Sequence, residues 1–107
     1  MNLQEDYCSF ELSKLLKEKG FKQEGCHKSY SMEGPVAPTH QMAMKWLREE
    51  HKLFIDISFQ KDEDDSVTWF YMTWALDDRK RDVEEVDFAS YEEAVEAALK
   101  YVLENLI

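Results

Sequence analysis

The chain of 107 residues has few of the residues that break or cross-link a polypeptide. It contains three glycines, two prolines and two cysteines. Glycine and proline cluster only at 34–38, a segment too short for an interdomain linker. Two cysteines allow at most one disulfide, and the polar N-terminus does not match the basic-then-apolar pattern of a secretory signal peptide. We therefore expect a single domain over 1–107, a cytoplasmic location and two reduced thiols.

Long apolar runs and an excess of basic residues are also missing. No apolar run approaches the roughly 20 residues that a membrane-spanning helix needs. The formal net charge is −10, and residues 56–107 account for it with 15 acidic and 5 basic side chains. Proteins that bind phosphate backbones or anionic lipids cluster lysine and arginine. The composition therefore argues against direct nucleic-acid binding and against docking on a membrane.

Apolar residues are plentiful, and their spacing predicts three helices. Hydrophobic residues make up 44% of the chain and aromatic residues 13%, which excludes overall disorder. The first helix is predicted over 4–19, ended by Gly20 in a Schellman motif with a contact between Phe21 and Leu16. Thr39 is predicted to cap the second helix. Ser90 and Glu93 predict a capping box at the third. The buried face predicted for the second helix consists of Met42, Ala43, Trp46 and Leu47.

Alternating apolar residues predict the strands. A half-buried strand over 53–59 and an aromatic-rich strand over 67–76 should form a hairpin across the polar loop 60–66. Weaker patterns predict an edge strand over 26–32, a loop over 33–38 and a further strand over 83–88. The order α-β-α-β-β-β-α indicates an α+β two-layer sandwich, with three helices on a mostly antiparallel sheet of three or four strands. A right-handed parallel crossover through the second helix is compatible with that order.

Two stretches give the chain a resemblance to a known group of proteins. They are "THQMAMKWLREEHKLFIDISF" at 39–59 and "FASYEEAVEAALKYVLENL" at 88–106. With the helix end "LLKEKGF", they resemble small uncharacterised proteins carried by prophages and other mobile elements of gut anaerobic bacteria. The shared patterns are T-x-x-x-A-x-KWLRE-x-H and SYEEAxEAAL. The resemblance implies a mobile-element setting and no known activity, so it assigns no functional residues.

Motifs that carry chemistry are missing from the sequence. There is no C-x-x-C, H-x-x-x-H, G-x-G-x-x-G, Walker A or G-x-S-x-G pattern. The acidic run 62–65 does not fit an EF-hand loop, because positions 6 and 12 hold Val67 and Thr73 instead of glycine and glutamate. We therefore predict no catalytic residue, no cofactor, no metal site and no enzyme activity. The available soft metal ligands are Cys8, Cys26, His27, His40 and His51.

The aromatic strand 67–76 is the most informative feature for function, because both of its faces are apolar. Phe70, Met72, Trp74 and Leu76 point to one side. Val67, Trp69 and Tyr71 point to the other. Helices on one side of a sheet cover only one face, so either both sides are buried within the chain or one side contacts a partner. We interpret Val67, Trp69 and Tyr71 as the candidate partner-binding residues.

The predicted function is therefore a non-catalytic protein-interaction module, binding a protein partner or a second copy as a homodimer. Two alternatives stay open. An acidic protein of this kind can imitate nucleic acid and inhibit a DNA-binding protein. A small-molecule binder, or an enzyme of an unrecognised type, would need a pocket with converging polar groups.

Overall fold

A computed structural model of the chain describes residues 6–22, 28–29, 36–77 and 81–107. These residues form an α+β fold in the predicted order. The helices are α1 (Phe10–Glu18), α2 (His40–Glu50) and α3 (Tyr91–Asn105). The strands are β1 (Lys28–Ser29), β2 (Val36–Ala37), β3 (Leu53–Lys61), β4 (Val67–Ala75) and β5 (Arg81–Phe88).

The main sheet is an antiparallel meander in the order β3-β4-β5. The predicted hairpin of β3 and β4 and the third strand of the meander are confirmed. The short strands β1 and β2 form a separate antiparallel pair. Among the described strands, none joins the main sheet by a parallel crossover, and the strand Val36–Ala37 replaces part of the predicted loop 33–38. The rest of the strand predicted over 26–32 lies outside the described residues.

The helices form one layer against one face of the sheet. α3 lies across β4, α2 packs on β3, and α1 packs on α3. The molecule is 21 Å across its thinnest dimension, which accommodates one helix layer and one sheet. The core between the layers is formed mainly by leucine, valine and alanine from the helices, with Ile55 and Tyr71 from the sheet.

Helix α1 begins later than its hydrophobic pattern predicts. The predicted start at residue 4 is wrong, because residues 6–9 pair with the segment that leads into α2. The Cys8 N–H donates to the Pro38 carbonyl at 2.9 Å, and the His40 N–H donates to the Asp6 carbonyl at 2.9 Å. The helix starts after Ser9, whose hydroxyl accepts a hydrogen bond from the Leu12 N–H at 3.2 Å.

The predicted end of α1 is confirmed. Gly20 adopts a φ of +100°, a backbone conformation that a side chain disfavours. Its N–H donates to the Lys17 carbonyl, and the Phe21 N–H donates to the Leu16 carbonyl at 2.9 Å. Phe21 and Leu16 are both buried. These bonds and this contact make up a Schellman motif.

Helix α2 starts at the predicted cap but turns a different face to the core. The Met42 N–H donates to the Thr39 hydroxyl at 3.2 Å. Met42 itself is 36% exposed, whereas Met44 is 7% exposed, so the predicted buried face is wrong by part of a turn. The bridge between Tyr7 and Thr39 holds the start of the helix against the core. The buried residues of α2 are His40, Ala43, Met44 and Leu47.

Helix α3 begins with a variant of the predicted capping box. The Glu93 N–H donates to the Ser90 hydroxyl at 3.1 Å, as predicted. The Glu93 carboxylate accepts from the Ala89 N–H at 3.1 Å, one residue before the predicted donor. The buried face of the helix consists of Ala94, Val95, Ala98, Leu99, Val102 and Leu103.

Candidate functional site

The three predicted contact residues lie on the side of β4 that the helices cover. Tyr71 is 2% exposed, and its ring lies 6.0 Å from Phe88 and 6.2 Å from Tyr101, centroid to centroid. Tyr71 is therefore a core residue, and its assignment to a partner-binding face is corrected, because α3 covers it. Trp69 is partly buried against Tyr91, and Val67 is 43% exposed at the end of the strand. The three side chains do not form one exposed surface.

The opposite side of the sheet carries a second group of partly exposed aromatic residues. We call this surface the open face, and no helix in the described part of the chain packs on it. In the register of the hairpin, Phe54 pairs with Trp74, and Asp56 pairs with Met72. Paired residues of an antiparallel ladder share a face. Phe54 is 36% exposed and Leu76 50%. The apolar part of the open face and its carboxylate are formed by Phe54, Asp56, Phe70, Met72, Trp74 and Leu76. At the edge toward β5, the ladder partner of Trp74 is Arg81.

A carboxylate lies within this apolar surface. Asp56 is two residues from Phe54 on β3 and directly opposite Met72 on β4, so it has one apolar neighbour along the strand and another across the ladder. Asp56, Phe54 and Trp74 line a shallow hollow of about 340 Å³. The ion pairs formed between described residues do not include Asp56. A cationic group from outside the described residues would therefore complement this carboxylate.

A second candidate site lies between the helices, where Cys8, His40 and Glu96 meet. We call these three residues the Cys8 cluster. The backbone pairing of residues 6–9 with the start of α2 brings Cys8 next to His40. Glu96 reaches them from α3, and its Oε2 lies 2.6 Å from His40 Nε2. One ligand atom from each residue lies within 4.8 Å of the other two.

The cluster is held in place by hydrogen bonds from its surroundings. The Ser9 N–H, at the start of α1, donates to Glu96 Oε2 at 3.2 Å. The Cys8 thiol donates to the Thr39 carbonyl at 3.9 Å. Cys8 is fully buried and His40 is 5% exposed. In the described part of the chain, His40 Nδ1 is buried without a hydrogen-bond partner.

The pKa of Glu96 lies below its ordinary value. Burial alone would raise this pKa, because it disfavours the charged carboxylate. The hydrogen bonds from His40 and Ser9, with the charge of His40, outweigh the burial. Ser9 also lies at the positive end of α1, where a carboxylate is favoured. Glu96 is therefore ionised at neutral pH and presents an anionic oxygen beside the imidazole.

The Cys8 cluster adjoins a cavity of about 680 Å³ between α1 and α3. His40 and Glu96 form part of its wall, and Cys8 lies behind them. Acidic side chains dominate the polar part of the lining, in which the basic residues among the described ones are Lys100 and His40. The carboxylates in the lining belong to Asp6, Glu11, Glu92, Glu93 and Glu96.

The sequence did not reveal this grouping. His40 and Glu96 are 56 positions apart, and neither forms a recognised metal or catalytic spacing with Cys8. The other soft metal ligands of the sequence are Cys26, His27 and His51. Cys26 and His27 lie outside the described residues, and His51 packs its ring against Trp46 at 4.7 Å. The sequence contained one local signal for the position of Cys8. The Ser9 side chain caps α1, so Cys8 lies in the extended segment before the helix.

Comparisons of the chain with models of protein families, with curated proteins and with solved structures give no match. Within the described residues, no helix combines the length and the apolar character needed to cross a membrane.

Proposed function

We propose that this protein is a non-catalytic interaction domain, and that its open face binds a basic, amphipathic segment of a partner protein. The observation that carries the proposal is the cluster of partly exposed aromatic and aliphatic side chains around Asp56. Aromatic side chains anchor interfaces because they bury a large area with few rotatable bonds. The carboxylate adds a preference for a partner that supplies lysine or arginine.

Charge favours such a partner over a second copy of this chain. Each copy carries a net charge of −10. Stacking two open faces would bring the Asp56 carboxylates of both copies into one largely apolar interface. Removing an unpaired charge from water costs several kcal/mol. A basic segment instead gains from the long-range attraction and supplies a cation to Asp56.

The biological setting of the proposal comes from the sequence. On the resemblance carried by residues 39–59 and 88–106, we propose that the protein is a component of a prophage or another mobile element. We also propose that it acts in the cytoplasm. Such a setting supplies host proteins as partners. The proposal for the open face does not depend on this setting.

Synthetic peptides of two kinds test the proposal. The peptides share one helical pattern of leucine and tryptophan, and their polar positions hold either lysine or glutamate. Binding is measured by fluorescence anisotropy, and the contact surface is mapped by NMR shifts of the backbone amides. We expect the lysine peptide to bind and to shift β3 and β4 around Phe54 and Trp74. The glutamate peptide should bind at least about tenfold more weakly, equivalent to 1.4 kcal/mol.

Matched variants separate the open face from other surfaces. The double variant Phe54→Ser, Trp74→Ser should lose binding while keeping its fold, and Asp56→Asn should weaken the lysine peptide selectively. Val67→Ser is the control, because Val67 is exposed on the other side of β4. Equal binding of the lysine peptide to the double variant would overturn the proposal. Binding driven by charge alone would then favour the acidic nucleic-acid mimic.

A further inference from the structure

The cavity between α1 and α3 provides what a small-ligand site requires, which is a concave surface with converging polar groups. The chemistry of its inner wall is specific. It combines a buried thiol, a buried imidazole and a half-buried carboxylate within 4.8 Å of one another. We propose that Cys8, His40 and Glu96 bind one divalent transition-metal ion of the zinc class, with a further coordination position directed into the cavity.

The donor set selects the class of ion. Thiolate and imidazole are ligands of zinc, cobalt and related ions, whereas calcium and magnesium require shells of oxygen atoms. Three protein ligands with an open fourth position are the arrangement found where zinc binds a water or an exogenous ligand. Calcium and magnesium are therefore poor candidates for this site.

The distances are compatible with coordination after small side-chain movements. Tetrahedral coordination with ordinary zinc–ligand bond lengths separates neighbouring ligand atoms by about 3.3–3.6 Å. The ligand atoms of the Cys8 cluster lie within 4.8 Å, and the His40–Glu96 pair at 2.6 Å. Closing around an ion therefore takes movements of about 1 Å. The ion would replace the His40–Glu96 hydrogen bond by bonds to both residues.

The surroundings favour a cation at this point. Four carboxylates besides Glu96 line the cavity, so the approach to the cluster is negative. Supporting bonds that orient metal ligands are a regular feature of metal sites. Here the Ser9 N–H holds Glu96 Oε2, and the backbone pairing of residues 6–9 holds Cys8 beside His40. The imidazole also has one buried ring nitrogen without a partner among the described residues, which coordination or rotation of the ring can satisfy.

This inference stands apart from the proposed function. The Cys8 cluster lies on the helix side of the sheet, and the open face lies on the other side. Loss of peptide binding at the open face would leave the metal proposal intact, and failure of metal binding would leave the peptide proposal intact. The two sets of variants share no residue.

Cobalt substitution tests the metal site directly. The chain is freed of metal with a chelator under reducing conditions and titrated with Co²⁺. We expect one ion per chain, visible absorption bands of tetrahedral intensity, and a thiolate-to-cobalt charge-transfer band in the near ultraviolet. Added Zn²⁺ should displace the cobalt, remove these bands and raise the melting midpoint, because the ion binds the folded chain.

Single variants identify the ligands. Cys8→Ser should abolish the charge-transfer band, and His40→Gln or Glu96→Gln should weaken Co²⁺ binding by at least about tenfold. The matched controls are Cys26→Ser, His51→Gln and Glu92→Gln, which retain the binding. Glu92 lines the same cavity, so Glu92→Gln distinguishes coordination from a general loss of negative charge.

Circular dichroism of each metal-free variant shows whether the variant folds, so that loss of a ligand can be distinguished from loss of the fold. Glu96→Gln changes a half-buried side chain and is expected to fold even if Cys8→Ser does not. Unaltered Co²⁺ binding in folded Glu96→Gln would overturn the assignment. So would a charge-transfer band that depends on Cys26 instead of Cys8, or the lack of any Co²⁺ binding by the native chain at micromolar concentration.

Discussion

At the scale of single residues, two methionines of α2 differ in burial. Met44 is 7% exposed and belongs to the core, whereas Met42 is 36% exposed. We expect Met44→Ala to lower the free energy of unfolding by about 2–4 kcal/mol, because it leaves a cavity. Met42→Ala should lower it by less than about 1 kcal/mol. Urea unfolding of both variants measures the difference, and equal losses would show that α2 presents another face to the core.

Glu96 links the stability of the fold to pH. Its pKa lies below the ordinary value of 4.5, because the hydrogen bonds from His40 and Ser9 outweigh the opposing effect of burial. The unfolded chain therefore binds this proton more readily. The stabilisation from the carboxylate is complete above the ordinary pKa and is lost as the pH falls through the lower folded value.

Urea unfolding of the metal-free chain at about pH 7 and about pH 3 measures this contribution. We expect Glu96→Gln to lose less stability between the two values than the native chain does, because glutamine does not titrate. Glu104→Gln, an exposed change on the same helix, is the control. A native chain and Glu96→Gln that lose equal stability on acidification would contradict the role given to this carboxylate.

At the scale of secondary-structure elements, the end of α1 depends on one backbone angle. Gly20 has a φ of +100°, and a Cβ built there meets no atom within 4 Å. The space is open, so the cost of Gly20→Ala comes from the backbone conformation alone, about 1–2 kcal/mol. Gly20→Asn should cost less, because asparagine visits the left-handed region more readily. The melting midpoints of the two variants test this order of stability. A steric cause would not make the larger asparagine side chain the less costly one.

Helix ends were predictable where the signal is local. A cap such as Thr39 or Ser90 involves residues within four positions, so the sequence contains the whole interaction. The start of α1 was not predictable in this way. Residues 6–9 have a choice between a further helical turn and pairing with the segment before α2, and the hydrogen bonds at Pro38 and Asp6 decide it. That competition depends on contacts between residues at least 30 positions apart.

At the scale of the whole molecule, the sequence predicted the alternation of β4 but not which side the helices cover. Tyr71 and Trp74 have similar apolar character, and only the packing of α3 separates a core residue from a surface residue. The Cys8 cluster was unpredictable for the same reason. Its three residues come from the segment before α1, from the first turn of α2 and from the middle of α3, and only the packed layers bring them together.

The net charge and the open face have opposite effects on self-association in solution. A net charge of −10 keeps copies apart at low ionic strength, because exposed charges interact over about 10 Å in 0.1 M salt and about 3 Å in 1 M salt. Salt does not weaken the attraction between apolar surfaces in the same way. We therefore expect the native chain to be monomeric at about 0.1 M salt and to self-associate at about 1 M.

Sedimentation velocity at both ionic strengths tests this expectation. The double variant Phe54→Ser, Trp74→Ser should remain monomeric in high salt, and Asp56→Asn should associate at lower salt than the native chain. Val67→Ser should behave as the native chain does. Because removing one carboxylate changes the net charge only slightly, a large effect of Asp56→Asn would locate the repulsion at the open face. Dimers at low salt that are insensitive to Asp56→Asn would mean that this carboxylate does not decide between a second copy and a basic partner.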